Sequence, residues 1–216
     1  MGKINIEHFP KRSINDDMKK SILLTFAAVA LLCSCVPSVN PFYTDKDVVT
    51  DPRLPGVWQE AGKDKPEIWQ FENDGTNAYK LTVTEEGDKT GVFTAHLFQL
   101  GAEHFLDLIP ADCNYATNQA GLVAVAMIPG HLLVRVSQFE PSLHLAFFDV
   151  DWLKKFLEAN PKAIAHRDEK DSIVLTAETR ALQKFVLKHL GKGELFSDGG
   201  DLVRQTNGVP ATVPAK

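Results

Sequence analysis

Two sets of residues in this 216-residue chain could do chemistry by type and spacing: Cys33-Ser34-Cys35, and the pair His96 and Asp107. Neighbouring thiols serve a metal, a redox couple, a disulfide or the attachment of lipid. A zinc clip wants two to four residues between its cysteines and a second pair of ligands, whereas one residue separates Cys33 from Cys35 and no second cluster follows. A disulfide across a single residue is strained. Cys113 is the only other thiol, and no motif ties it to a histidine, so it reads as a small hydrophobe in a core or loop. No metal and no cofactor are expected, which leaves a redox couple and the attachment of lipid, of which lipid attachment is the expectation.

The surroundings of the cysteines agree. The apolar run from Ile22 to Leu32 is bounded by Lys19 and Lys20 on one side and by Ser34, Pro37 and Asn40 on the other. It is shorter than the roughly 20 residues that span a bilayer. A basic start, a short apolar stretch and small residues at its end make a signal peptide. Glu7, Asp16 and Asp17 do not suit such a start. Residues 1–17 therefore read as an extension ahead of a true start at Met18, with the signal over 18–34. The stretch "Leu32-Cys33-Ser34-Cys35" resembles the lipobox of bacterial lipoproteins. Cys35 fits, with Leu32 three before it and Ser34 directly before it; Cys33 does not, because Leu32 precedes it. The resemblance implies a diacylglyceryl group on Cys35, cleavage before it and acylation of the new amine, with Cys33 leaving in the signal. Each buried methylene contributes about 0.8 kcal/mol, and stable anchoring takes more than one chain. Val36, not Asp, follows the cysteine, which resembles outer-membrane lipoproteins and implies the periplasmic face of that membrane.

Residues 36–216 hold 18 Lys plus Arg against 25 Asp plus Glu, a net charge of −7. A nucleic-acid partner is not expected, since it would require a basic face, and membrane contact should come from the lipid. Pro37, Pro41, Pro52 and Pro55 predict an extended tether over 35–55. From 56 to 149, short runs of β-branched and aromatic residues alternate with turn signals, predicting a mainly β fold: an antiparallel meander barrel or sandwich of about eight strands. The strands are expected near 56–60, 66–73, 77–85, 90–100, 103–109, 121–128, 131–139 and 142–149. If Glu140 and Pro141 form a two-residue loop, partners sum to 281, and Val134 faces Phe147 while Val136 faces Leu145 on one apolar face. "DVDWLKKFLEANP" reads as a helix capped by Asp151 and stopped at Pro161. After a brief strand, "SIVLT", a second helix ends at Gly191. Both helices carry an apolar stripe and should pack on the sheet. The single domain covers 56–207, and 208–216 reads as a disordered tail.

These elements position the second pair. With Gly101 and Ala102 as a type II′ turn, partners sum to 203, so His96 faces Asp107 and Phe98 faces Phe105. A carboxylate beside an imidazole orients it and raises its pKa, as general-base chemistry requires, although structural ion pairs do the same. Neither "GxSxG" nor "HExxH" occurs, and nothing completes a triad. His104 points away from Asp107, three residues on along a strand. By the 281 rule His131 and His144 face Val150 and Ser137, so no shared metal follows. The connection over 110–121 is the longest in the sheet and a place where binding residues gather.

Gly56-x-Trp58 in "LPGVWQE" resembles the G-x-W signature of lipocalin-type barrels, and eight strands with a following helix are similar to their layout. The resemblance implies that Trp58 closes the barrel base, that Gly56 gives a tight backbone entry, and that an arginine near the last strand packs on the Trp; no particular arginine stands out. The long stretch after Trp152 departs from that pattern. "AHLFQLGAEHFLDLIP" resembles segments of bacterial lipoproteins and carries no activity with it. The expectation is a lipid-anchored, non-enzymatic envelope protein binding a small apolar ligand, with Trp58, Trp69, Phe71, Phe98, Phe105 and Tyr115 as liners and His96 and Asp107 as polar contacts. Two alternatives stand beside it: a solid-cored scaffold that engages an envelope protein, and a weak hydrolase using His96 and Asp107.

Overall fold

The structure, a computed structural model, describes residues 36–111, 129–169, 172–191, 195–197 and 199–205. Cys33, Cys35, Cys113, Tyr115, the strand expected over 121–128 and the tail over 208–216 lie outside the described residues. In chain order the elements are β1 (Pro37–Ser38), β2 (Gly56–Glu60), β3 (Ile68–Asn73), β4 (Tyr79–Thr84), β5 (Thr90–Leu100), β6 (Glu103–Pro110), β7 (His131–Gln138), β8 (Leu143–Phe147), α1 (Val150–Ala159), β9 (His166–Glu169), β10 (Ser172–Leu175), α2 (Thr179–Leu190) and β11 (Gly200–Arg204). None of the described helices is long and apolar enough to cross a membrane.

Eight strands close into an antiparallel barrel in the order β6-β5-β4-β3-β2-β11-β8-β7, with β7 returning to β6. Seven of them belong to the expected meander. The eighth is β11, which follows both helices and closes the ring by pairing with β2 and β8. A short extension, β1-β10-β9, leaves the ring from β7.

The turn chemistry sets the registers. Gly101 takes a φ of 64°, the left-handed region that the first position of a II′ turn needs and that glycine occupies without a Cβ penalty. Every pair from Phe93↔Pro110 to Leu100↔Glu103 keeps the 203 register. The 281 register holds for Val134↔Phe147 and Val136↔Leu145, then a bulge places Gln138 opposite His144. His144 therefore does not face Ser137, and His131 faces Ser38 instead of Val150. The Glu140–Pro141 peptide is cis.

Alternation along the strands divides the apolar residues between two cores. Trp58, Trp69, Phe71, Tyr79, Leu81, Leu97, Leu106, Val134, Leu145 and Leu202 face into the barrel. Phe98, Phe105, Leu133 and Phe148 point outward and are covered by Leu153 and Leu157 of α1 and by Leu182, Phe185 and Val186 of α2. β6 is buried on both faces, which is why Phe105, Leu106, Asp107 and Leu108 are all buried in succession. Asp149 caps α1 by accepting the Trp152 N–H at 2.7 Å, two residues before the expected cap at Asp151; Asn160 ends the helix ahead of Pro161.

The expected tether over 35–55 is corrected. Val36 and Phe42 are each 1% exposed and Leu54 is 0% exposed. Ser38 pairs with both His131 and Leu175. Gln99 donates to the Asp47 carbonyl at 2.9 Å, and Val49 donates to the Leu97 carbonyl at 2.9 Å. Residues 36–55 are a strap that crosses the outside of β7, β6 and β5 before entering β2. Prolines suit such a path as well as a free one, because the strap is bonded through N–H groups such as those of Val39, Phe42 and Val49, none of them a proline.

Candidate functional site

The barrel end where β2 begins is sealed. Gly56 has a φ of 141°, and a Cβ there would lie 2.1 Å from a guanidinium nitrogen of Arg204. Only glycine lets that guanidinium lie against the backbone. The Arg204 Cζ stands 4.1 Å from the centre of the Trp58 ring. Its nitrogens donate to the Pro55 carbonyl at 2.8 Å and to the Arg53 carbonyl. Trp58 Nε1 donates to the Leu54 carbonyl at 2.9 Å. The arginine that the G-x-W pattern implies is thus Arg204, directly opposite Trp58 in the β11–β2 register. Phe139 and the Arg53 guanidinium 4.7 Å above its ring pack at the same end, as does the Tyr79 hydroxyl, which accepts the Asp51 N–H at 2.9 Å.

Above this seal the interior is filled. Leu81, Leu97, Leu106, Val134 and Leu143 are 0% exposed, and Trp58, Phe71 and Tyr79 are 1% exposed. So little exposure leaves no water-sized void against these eight side chains. Of the expected ligand liners, Trp58, Trp69 and Phe71 do face inward. Phe98 and Phe105 are corrected: they stack on each other with ring centres 5.5 Å apart in the outer core beneath the helices. Partly buried apolar side chains remain toward the opposite rim, where Phe93, Leu132 and Phe147 pack against the inner core; the Trp69 and Phe147 rings are 6.2 Å apart. Trp69 Nε1 donates to Glu67 at 2.5 Å, and burial pushes the Glu67 carboxyl above its ordinary value despite that bond.

His96 and Asp107 lie directly opposite each other, as the register requires, but on the outer face of the barrel, and the carboxylate bonds to other groups. Asp107 is 0% exposed. One carboxylate oxygen accepts the Phe42 N–H at 2.8 Å, and the other accepts from His131 Nδ1 at 2.6 Å. The imidazole that Asp107 orients is therefore that of His131, on β7. His96 stacks on Tyr43, ring centres 4.5 Å apart, and its buried Nδ1 has no hydrogen-bond partner. Burial pushes the His96 pKa down, outweighing the opposing pull of Asp107, Asp74 and Asp45. The general-base expectation of a raised His96 pKa is reversed. Desolvation penalises the charged imidazole more than a neighbouring carboxylate already bonded to two other groups rewards it.

A second cross-strand histidine and aspartate escaped sequence reasoning. His144 on β8 faces Asp201 on β11, with Nδ1 2.9 Å from the carboxylate. The His144 pairing holds Asp201 below the usual carboxylate range. His144 borders a cleft on the outer surface with Arg135, Ser137, Phe196 and Ser197. Arg135 is held by Glu103 at 2.8 Å. Only the β11 strand, invisible to the sequence reading, brings Asp201 there. Among the described residues no group of three or more His, Cys, Asp or Glu side chains could hold a metal.

The class of protein defined by this fold is a closed, antiparallel eight-stranded barrel of lipocalin-like layout with two helices on its outer face. No protein-family model, curated protein or solved structure matches the chain.

Proposed function

We propose that the chain is a lipid-anchored, non-enzymatic cell-envelope protein whose filled barrel is a scaffold presenting its outer face to an envelope protein. The observation that supports it is the interior: Trp58, Phe71, Tyr79, Leu81, Leu97, Leu106 and Val134, where a calyx would hold a ligand, are 0–1% exposed. Eight strands enclose just enough space for side chains or for one small ligand, and here side chains take it. The lipobox resemblance supplies the anchor at Cys35, and Val36 after it supports the periplasmic face of the outer membrane. A second reading, a small apolar ligand, is favoured only at the rim formed by Trp69, Phe93, Leu132 and Phe147. The hydrolase alternative gains nothing from Asp107, whose two oxygens are engaged by Phe42 and His131. Metabolic palmitate labelling with Cys35→Ser tests the anchor, and crosslinking in intact envelopes tests the scaffold. Label lost in the variant and a discrete protein adduct support the reading; label retained, or no adduct to any envelope protein, contradicts it.

A further inference from the structure

We infer that the strip formed by residues 36–41 and Pro129–Leu132 is the face that lies against the bilayer, so that the barrel sits on the membrane with no spacer. This rests on the lipid anchor at Cys35 proposed above. Consecutive Cα atoms are about 3.8 Å apart, so wherever Cys35 lies, its backbone is one peptide from Val36. Val36 is 1% exposed and belongs to the outer core. Three observations hold it there: Pro37 and Ser38 pair with Leu132 and His131, the Val39 N–H donates to the Leu175 carbonyl at 2.9 Å, and Phe42 is pinned to the buried Asp107. A lipid on Cys35 therefore cannot be more than a side chain's length from the domain surface.

The chemistry of that surface suits the occupant. Residues 36–44 contain no charged side chain, in a domain of net charge −7. Anionic headgroups repel acidic surfaces, so an uncharged strip is the face that such a domain can bring to a bilayer. Val39 is 43% exposed, one of two large apolar side chains so exposed among the described residues. Gly130 lies against Pro37, so closely that a Cβ on Gly130 would meet the Pro37 Cβ at 2.9 Å.

The test uses the lipidated full chain in a Cys113→Ser background, reconstituted in phosphatidylethanolamine and phosphatidylglycerol vesicles. Val39→Cys carries an NBD fluorophore, and doxyl-labelled lipid is the quencher. Asn77→Cys, exposed in the β3–β4 turn on the side of the ring opposite β7, is the control. Position 39 should lose most of its emission and position 77 almost none. A second protein carries a Gly/Ser spacer of about ten residues between Cys35 and Val36, enough to reach roughly 17 Å; it should still float with the vesicles but lose most of the quenching at 39. Equal quenching at 39 and 77, or quenching at 39 unchanged by the spacer, overturns the inference while leaving the anchor intact. A chain that neither floats nor gains lipid mass on Cys35 overturns the anchor, and the membrane-facing strip with it.

Discussion

Leu106→Ala is the substitution that most directly weighs the interior of the barrel. Leu106 is 0% exposed, lies across from Leu97 on β5 and from Val134 on β7, and points into the inner core. Removing three carbons forfeits about 2 kcal/mol of transfer free energy at about 0.8 kcal/mol per methylene. The surrounding strands are tied into a closed ring and cannot collapse inward, so a void of about 50–100 Å3 adds a further 1–2 kcal/mol or so. The expected loss is about 3–4 kcal/mol. Urea denaturation followed by tryptophan fluorescence reads it as a midpoint lowered by roughly 1.5–2 M, for a slope of about 2 kcal/mol/M. In a hollow barrel the side chain would line an existing space and the void term would vanish. A loss of no more than about 2 kcal/mol, the transfer term alone, with an unchanged slope would refute the filled interior. Leu187→Ala, on the exposed face of α2 where Leu187 is 47% exposed, should stay within about 0.5 kcal/mol of the parent.

Arg204→Ala should destabilise by about 1–3 kcal/mol, through loss of the stacking on Trp58 and of two charge-assisted bonds to carbonyls; Arg204→Lys should recover little of it, since an ammonium neither stacks as a plane nor forks. Asp107→Asn should loosen the strap, removing the charge that holds both Phe42 and His131, and hydrogen exchange at the Phe42 amide should rise far above that of the β3–β4 ladder. For His96, burial places the folded pKa below the unfolded value of about 6.5. The unfolded chain therefore binds more protons as pH falls through that value, and stability present above it is lost on the acid side. His96→Leu should flatten the slope of stability between pH 7 and 5; an unchanged slope would contradict the assignment.

The barrel was legible because its strands alternate and its turns are chemically explicit. Gly101 alone sets the β5–β6 register over eight pairs, and the apolar coincidence of Val134 with Phe147 identifies the next hairpin. What alternation could not tell is which face is interior. On β5 and β6 both faces are buried, so Phe98 and Phe105 read as well for a lining as for the floor under the helices. Closure was hidden for a different reason: β11 has only Leu202 and Val203 as apolar residues after a pair of glycines, and its place depends on partners more than 140 residues away in β2. Arg204 could not be matched to Trp58 without it. The strap escaped because its burial comes from tertiary partners, Asp107, Leu175 and Leu97, and not from any pattern within residues 36–55. At His96 and Asp107 the register was readable, but the third and fourth members, His131 and the Phe42 amide, arrive from β7 and from the strap.

The central claim, a filled barrel that works through its outside, is tested most directly by native mass spectrometry of the protein extracted from envelopes under gentle detergent. The account predicts the lipidated chain, alone or with a protein partner, and no small-molecule adduct. A stoichiometric small-molecule adduct that organic solvent releases, and whose removal exposes Trp58 and Trp69 to aqueous quenchers, would contradict it.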